Sequence, residues 1–169
     1  MLTKPHGPLL VPMGMINNRR FNMKWVVLGA GFLLLGCEAL PRDPENTSQR
    51  IAHEKQLKVG LIAGTAQGTA VKKLLNEISR RTDAQPRIAV GAAEDLLQRV
   101  SDGDIDLVVG EFTKASPWKT KVAFAPPLRS SGPKGDPLEL KAAMRNGENR
   151  WIMLVERASR AVSAEARSQ

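Results

Sequence analysis

Tyrosine is absent from this chain, cysteine occurs once, histidine twice, and no acidic residue precedes Glu38. Each shortage excludes something. Aromatic residues make up 4% of the chain, too few for the stacking platforms on which single-stranded nucleic acid is held. The basic residues are scattered along the sequence rather than gathered into the stripe that a nucleic-acid surface needs. Nucleic acid is therefore not an expected partner. A lone cysteine, Cys37, supports neither an internal disulfide nor a thiolate metal site. His6 lies near the start and His53 in a polar stretch, so neither is placed to anchor a catalytic pair or a metal. No catalytic residue, metal ligand or cofactor is expected, and the chain does not read as an enzyme. Long apolar runs are missing too. The stretch from Trp25 to Leu35 is apolar or small throughout, but about 11 residues rise only ~16 Å as a helix, against ~30 Å of hydrocarbon.

What the N-terminal region does contain is ordered. Arg19, Arg20 and Lys24 come first, the apolar run follows, and Leu34-Leu35-Gly36-Cys37 closes it. A basic start, a short apolar centre and a small residue before the cut read as a secretory signal. With a cysteine directly after Gly36, the segment resembles the bacterial lipoprotein signal, whose pattern is Leu, a small or apolar residue, Gly or Ala, then Cys. That resemblance implies removal of residues 1–36, acylation of Cys37 (palmitate or a similar chain), and a protein on the cell envelope facing the periplasm or the exterior. The alternative is an N-terminal membrane anchor with an incidental cysteine. Met15 makes a better signal start than Met1, because both prolines of the first ten residues then fall away. Without residues 1–36 the balance is 21 basic against 17 acidic residues, +4 instead of +8 for the whole chain.

Residues 37–56 are polar and carry Pro41 and Pro44, a flexible tether by composition. From residue 57 the pattern changes. Residues 57–63 (LKVGLIA) read as a buried strand. Val71, Leu74, Leu75 and Ile78 fall at helical spacing and predict an amphipathic helix over 69–81. Residues 86–91 (PRIAVG) read as a second strand, Leu96, Leu97 and Val100 as a second helix stopping at Asp102-Gly103, and 105–110 (IDLVVG) as a third strand. Strand and helix alternating with tight links imply a parallel sheet with right-handed crossovers. A further strand is expected at 121–125, a loop at 129–137, and a segment at 138–144 whose alternation favours a strand. Trp151, Leu154, Val155, Ala158 and Val162 mark a closing helix, with Trp151 in the core. The tail, residues 165–169, is expected to fray. Val59, Leu61, Leu74, Ile88, Val90, Leu97, Leu107, Val108 and Leu154 are the expected core. Between the first strand and helix, Gly64-Thr65-Ala66-Gln67-Gly68-Thr69 lacks the lysine of a phosphate loop and reads as a short turn with Thr69 as the helix cap.

The segment LLQRVSDGDIDLVVGEFTKASPWKTKVAFAPPL, residues 96–128, resembles the first lobe of extracellular solute-binding proteins of ABC transporters, the polar amino-acid type. The family pattern has a helix ending in Gly, an x-Asp-apolar strand, a stretch with Thr, a Pro-Glu-Arg turn and then Lys-Val-Asp-Phe-Ser-x-Pro. Gly103, Asp106, Thr113, Lys121, Val122, Phe124 and Pro127 match it without a gap, and the likeness extends over residues 57–161. It implies an α/β fold, a three-layer sandwich with a mostly parallel sheet of four or five strands, over residues 57–164. It also implies a ligand crevice bordered by Glu111, Thr113 and Trp118. Two departures bear on function. Trp118 stands where the family has the arginine that grips an amino-acid carboxylate, and Glu111 stands where the family has a small residue. A carboxylate beside an aromatic face favours a small cation. Two-lobe members also need roughly twice this length, so a single lobe is expected. Two functions follow from the resemblance: a lipid-anchored accessory or sensing component of a membrane transporter, or an interaction lipoprotein that has lost its ligand.

Overall fold

The computed structural model describes residues 42–65, 68–133 and 135–169. Cys37 and residues 1–36, where the signal is expected, lie outside the described residues. Helix α1 (Thr47–Glu54) leads into β1 (Gln56–Ile62), followed by α2 (Thr69–Thr82), β2 (Gln85–Gly91), α3 (Ala93–Asp102) and β3 (Leu107–Thr113). A 3-10 turn at Pro117–Thr120 precedes β4 (Val122–Phe124), β5 (Arg129–Ser131), β6 (Leu138–Arg145), α4 (Asn149–Val162) and α5 (Ala164–Arg167). Among the described residues the strands form one six-stranded sheet in the order β2-β1-β3-β6-β4, with β5 also on β6. The β1 pairings to β2 and β3 are parallel; β6 runs antiparallel to β3, β4 and β5. Only β6 is therefore reversed, and the sheet is mostly parallel.

Two cores make the three layers. One lies between the sheet and α1, α2 and α4, around Ile51, Val59, Leu61, Leu74, Ile78, Leu107 and Trp151. The other lies under α3, around Leu96, Leu97, Val100, Val108 and Phe112. Both faces of the sheet are buried over most of β3 and β6, as expected where helices cover a sheet on both sides. Trp151 is fully buried, and its indole N–H donates to the Asp106 carbonyl at 2.8 Å.

Several expectations are corrected. Ile88 and Val90 are 52% and 61% exposed. They pair with Val59 and Leu61, which are buried on the same face, but β2 is the sheet edge and the helical cover stops at β1. Gln85 N–H bonds the Lys55 carbonyl and the Gly91 carbonyl accepts from Ala63 N–H, so the main chain of Pro86, Ile88 and Val90 faces outward. Pro86 thus forfeits no ladder bond, which is why an edge strand tolerates it. Leu154 is only partly buried; Trp151, Val155 and Ala158 carry the inner face of α4.

The expected tether is shorter than its composition suggests, because residues 47–54 form α1 with Ile51 buried. Eight residues would not hold as an isolated helix. Two carboxylates, one just upstream and one distant along the chain, supply the missing N-terminal partners. The Asp43 carboxylate accepts from Ser48 N–H at 2.9 Å and from Trp151 N–H at 3.0 Å. Glu148, itself buried, accepts from Glu45 N–H at 2.9 Å and Thr47 N–H at 3.0 Å.

The loop expected at 129–137 begins as β5. It continues the β4 edge after a gap at Pro126 and Pro127, with Ala125 N–H on the Ala142 carbonyl and Leu128 N–H on the Leu140 carbonyl either side. Nor does the tail fray. Ala166 is buried in α5, Ser163 Oγ donates to the Leu128 carbonyl, and the Glu165 carboxylate accepts from both Ser130 N–H and Ser130 Oγ. Thr69 opens α2 as its first residue; the cap position is Gly68, with no side-chain cap bond.

Candidate functional site at the strand ends

Because five strands run one way, the ends of β1, β3 and β4 and the start of β6 share one end of the sheet. In open α/β sheets that end carries the ligand crevice. The turn after β1 is built for close approach. Gly64 sits at φ +92°, and Thr65 Oγ1 lies 2.5 Å from the Ile62 carbonyl and 3.4 Å from that of Val109 on β3. Gly110 leaves room for Ile62, since a Cβ there would stand 2.2 Å from Ile62 Cδ1.

Strand β3 runs on to Thr113, so Glu111 and Thr113 are strand residues. Opposite them on β6 stand Leu140 and Leu138, which turns both toward the α2 and α4 side. Glu111 Oε1 accepts from Arg129 Nη2 at 2.9 Å. Trp118 packs on the other face, against the core under α3 that holds Phe112, and Lys121 Nζ lies 5.2 Å from its ring centroid. Alternation along β3 separates the two: Glu111 faces one layer, its neighbour Phe112 and Trp118 the other. The structure does not bring Glu111 and Trp118 together on one face, and a cation of this chain already attends each.

The charged pair that the sequence reading missed lies on β6. Lys141 Nζ donates to Glu139 Oε2 at 2.6 Å with side chains only 5% and 9% exposed. Opposite them on β3 are Gly110 and Phe112, so both face the α3 side. The Lys141 ammonium also sits 4.7 Å from the Phe124 ring centroid. The pair lies in an open cleft of about 380 Å³ at the strand ends, which Phe124, Lys114, Lys119 and Glu156 also line. The signal was available in Leu138-Glu139-Leu140-Lys141: two charges alternate with leucines, as on a half-exposed strand. Here both faces are covered.

Other polar residues hold the fold. Asp106 is buried at the opposite end of the sheet; its carboxylate accepts from Lys58 N–H at 2.8 Å and from Arg50. Burial pushes its pKa up, outweighing the Lys58 N–H and the Arg50 charge. Glu77 is held down to about 2, chiefly by its hydrogen bond from Arg80 and also by Arg81, a surface cluster on α2. His53 is exposed on α1. Among the described residues no group of three or more His, Cys, Asp or Glu is arranged to hold a metal, and no helix is long and apolar enough to cross a membrane.

No family model and no curated protein matches the chain. Solved structures do. The arginine-bound form of domain 1 from TmArgBP is similar at 23% identity and a TM-score of 0.58, over 66% of this chain and 97% of that one. The arginine-bound form of truncated ArgBP from T. maritima matches at 14% identity and a TM-score of 0.59, over 68% and 100%. An ancestral cationic amino acid solute binding protein matches at 12% and 0.57, over 68% and 93%. At these identities the likeness is one of fold. The architecture is a single lobe of the periplasmic-binding-protein type.

Proposed function

We propose that this chain is a lipid-anchored, solute-binding-like lobe that serves a membrane transporter as an accessory or sensing component. The carrying observation is that its fold matches an isolated domain 1 described in arginine-bound form. The arginine-bound form there is of a single lobe, and one lobe carries the reading here. The candidate ligand is a small amino-acid-like solute at the strand ends, with Glu111 and Thr113 on one face of the sheet and Trp118 on the other as alternative contacts. A cationic solute takes either Glu111, by displacing Arg129, or the Trp118 face, by displacing Lys121. The chain has no catalytic role in this reading. Cys37 carries the acyl groups, and the lobe faces the periplasm or the exterior. One acyl chain binds a bilayer only marginally, so a second membrane signal accompanies it.

A second reading, an interaction lipoprotein that no longer binds a solute, is favoured by the same two internal pairs, Glu111–Arg129 and Trp118–Lys121. Calorimetry of the full chain with arginine, spermidine and glutamate separates the two. Heat with arginine or spermidine that weakens in Glu111→Gln supports the first reading, and no heat with any probe supports the second. Anchoring has its own test. Cys37→Ala must accumulate uncleaved precursor and lose labelling by a fatty-acid analogue; undiminished labelling refutes it.

A further inference from the structure

Lys141 presents an unusual account of its donors. A lysine ammonium carries three N–H groups, and among the described residues this one donates a single hydrogen bond, to Glu139. The Phe124 ring face attracts the charge but accepts no full hydrogen bond. A nearly buried ammonium that lines the cleft thus keeps N–H groups with no acceptor among the described residues. Buried donors without acceptors are costly, so a ligand or water must supply them.

The charges around it have one sign to spare. Glu139 is taken by Lys141, and Glu156 by Arg160 at 3.2 Å. Lys114 and Lys119, both exposed at the rim, have no ion-pair partner among the described residues. Among the described side chains the cleft therefore has spare cations and no spare carboxylate. Its remaining lining is Gln169 and an apolar run, Phe124 with Ala125, Pro126 and Pro127, where the sheet edge breaks. At about 380 Å³ its volume lies within the usual range for small-molecule sites.

Resting on the solute-binding reading above, we infer that this cleft holds the carboxylate of a small organic acid or amino acid. The carboxylate accepts from Lys141, Lys114 and Lys119 steer it in, and the apolar body of the ligand lies along Phe124 and the proline pair. The site is separate from Glu111 and Trp118.

The test compares arginine with agmatine, the same molecule without its carboxylate, and adds phenylalanine, butyrate and inorganic phosphate. Each is titrated calorimetrically into the full chain. Two variants accompany the parent: Lys141→Met with Glu139→Leu, which replaces the ion pair by apolar side chains of similar size, and Lys114→Ala with Lys119→Ala, which touches only exposed residues. Thermal melts check that both fold. The expected result is binding of a carboxylate-bearing probe, at least about tenfold weaker without its carboxylate and in the Lys141/Glu139 variant, the loss of one charge-assisted hydrogen bond. The rim variant should weaken binding about threefold and flatten its salt dependence. Agmatine binding as tightly as arginine, or binding unchanged in both folded variants, overturns this inference while solute binding stands. Phosphate binding alone, displaced by no carboxylate, also overturns it. No binding of any probe overturns both readings.

Discussion

Replacing Asp106 tests the joint that holds four elements together. Its carboxylate receives the Lys58 N–H of β1 and the Arg50 guanidinium of α1, and its carbonyl receives the Trp151 indole of α4. Asp106→Ala keeps the carbonyl and removes the rest. A hydrogen bond to a charged group contributes ~1.5–3 kcal/mol, and breaking a buried ion pair costs ~3–5 kcal/mol. The second figure needs a discount here. The Arg50 side chain is 26% exposed and also bonds Glu54 at 3.0 Å, so it can turn to water. The expected loss is about 2–4 kcal/mol. Asp106→Asn retains an acceptor for Lys58 and should lose about 1–2 kcal/mol.

The pH dependence gives the sharper reading. Burial raises the Asp106 pKa in the folded protein above its usual 3.8. In the window from 3.8 up to the raised folded value, the unfolded chain gives up this proton while the folded chain keeps it. Stability from this group therefore falls as pH rises through the window and is flat above it. Urea denaturation followed by circular dichroism, with Asp106→Asn as the reference, isolates that contribution. The lead of the parent over Asp106→Asn should be greatest at the acid end and shrink as pH rises. A lead that grows with pH would show that the Arg50 charge outweighs burial and would refute the reasoning. So would a loss below about 1 kcal/mol for Asp106→Ala.

Leu107→Ala, at a fully buried position of the third strand, should lose ~2–5 kcal/mol in the same assay. Ile88→Lys on the exposed edge should change stability by no more than ~0.5 kcal/mol; a core-sized loss there would mean that β2 is covered. Gly110→Ala should cost ~1–3 kcal/mol, since its methyl group would meet Ile62 at 2.2 Å. Ile62→Ala in the same chain should recover part of that loss, and additive losses would argue against the contact.

What the sequence by itself determined is the set of elements that carry their own periodicity. Val71, Leu74, Leu75 and Ile78 lie on one side of a 3.6-residue helix wherever it docks. The runs at β1 and β3 are apolar on both faces, as central strands must be. Gly103, at φ +91°, ends α3 as its position after Asp102 suggests. These are local facts, and together with the tight links they also imply parallel order. The likeness carried by Gly103, Asp106 and Val122 led to the right fold class for the same reason.

Tertiary structure alone decided the rest. Val59 and Ile88 look alike in sequence, yet one is central and the other at the edge, because sheet order depends on which strands meet. Residues 47–54 have one apolar anchor, and Glu148, over a hundred positions away along the chain, joins the nearby Asp43 in supplying acceptors for the start of the helix. Glu111 and Trp118 seemed to share a crevice when read along the chain, but strand alternation sends them to opposite layers. Glu139 and Lys141 have the alternation of a solvent face, and became a buried pair because layers close over both sides of β6. Periodicity specifies which residues share a face; only packing specifies what that face meets.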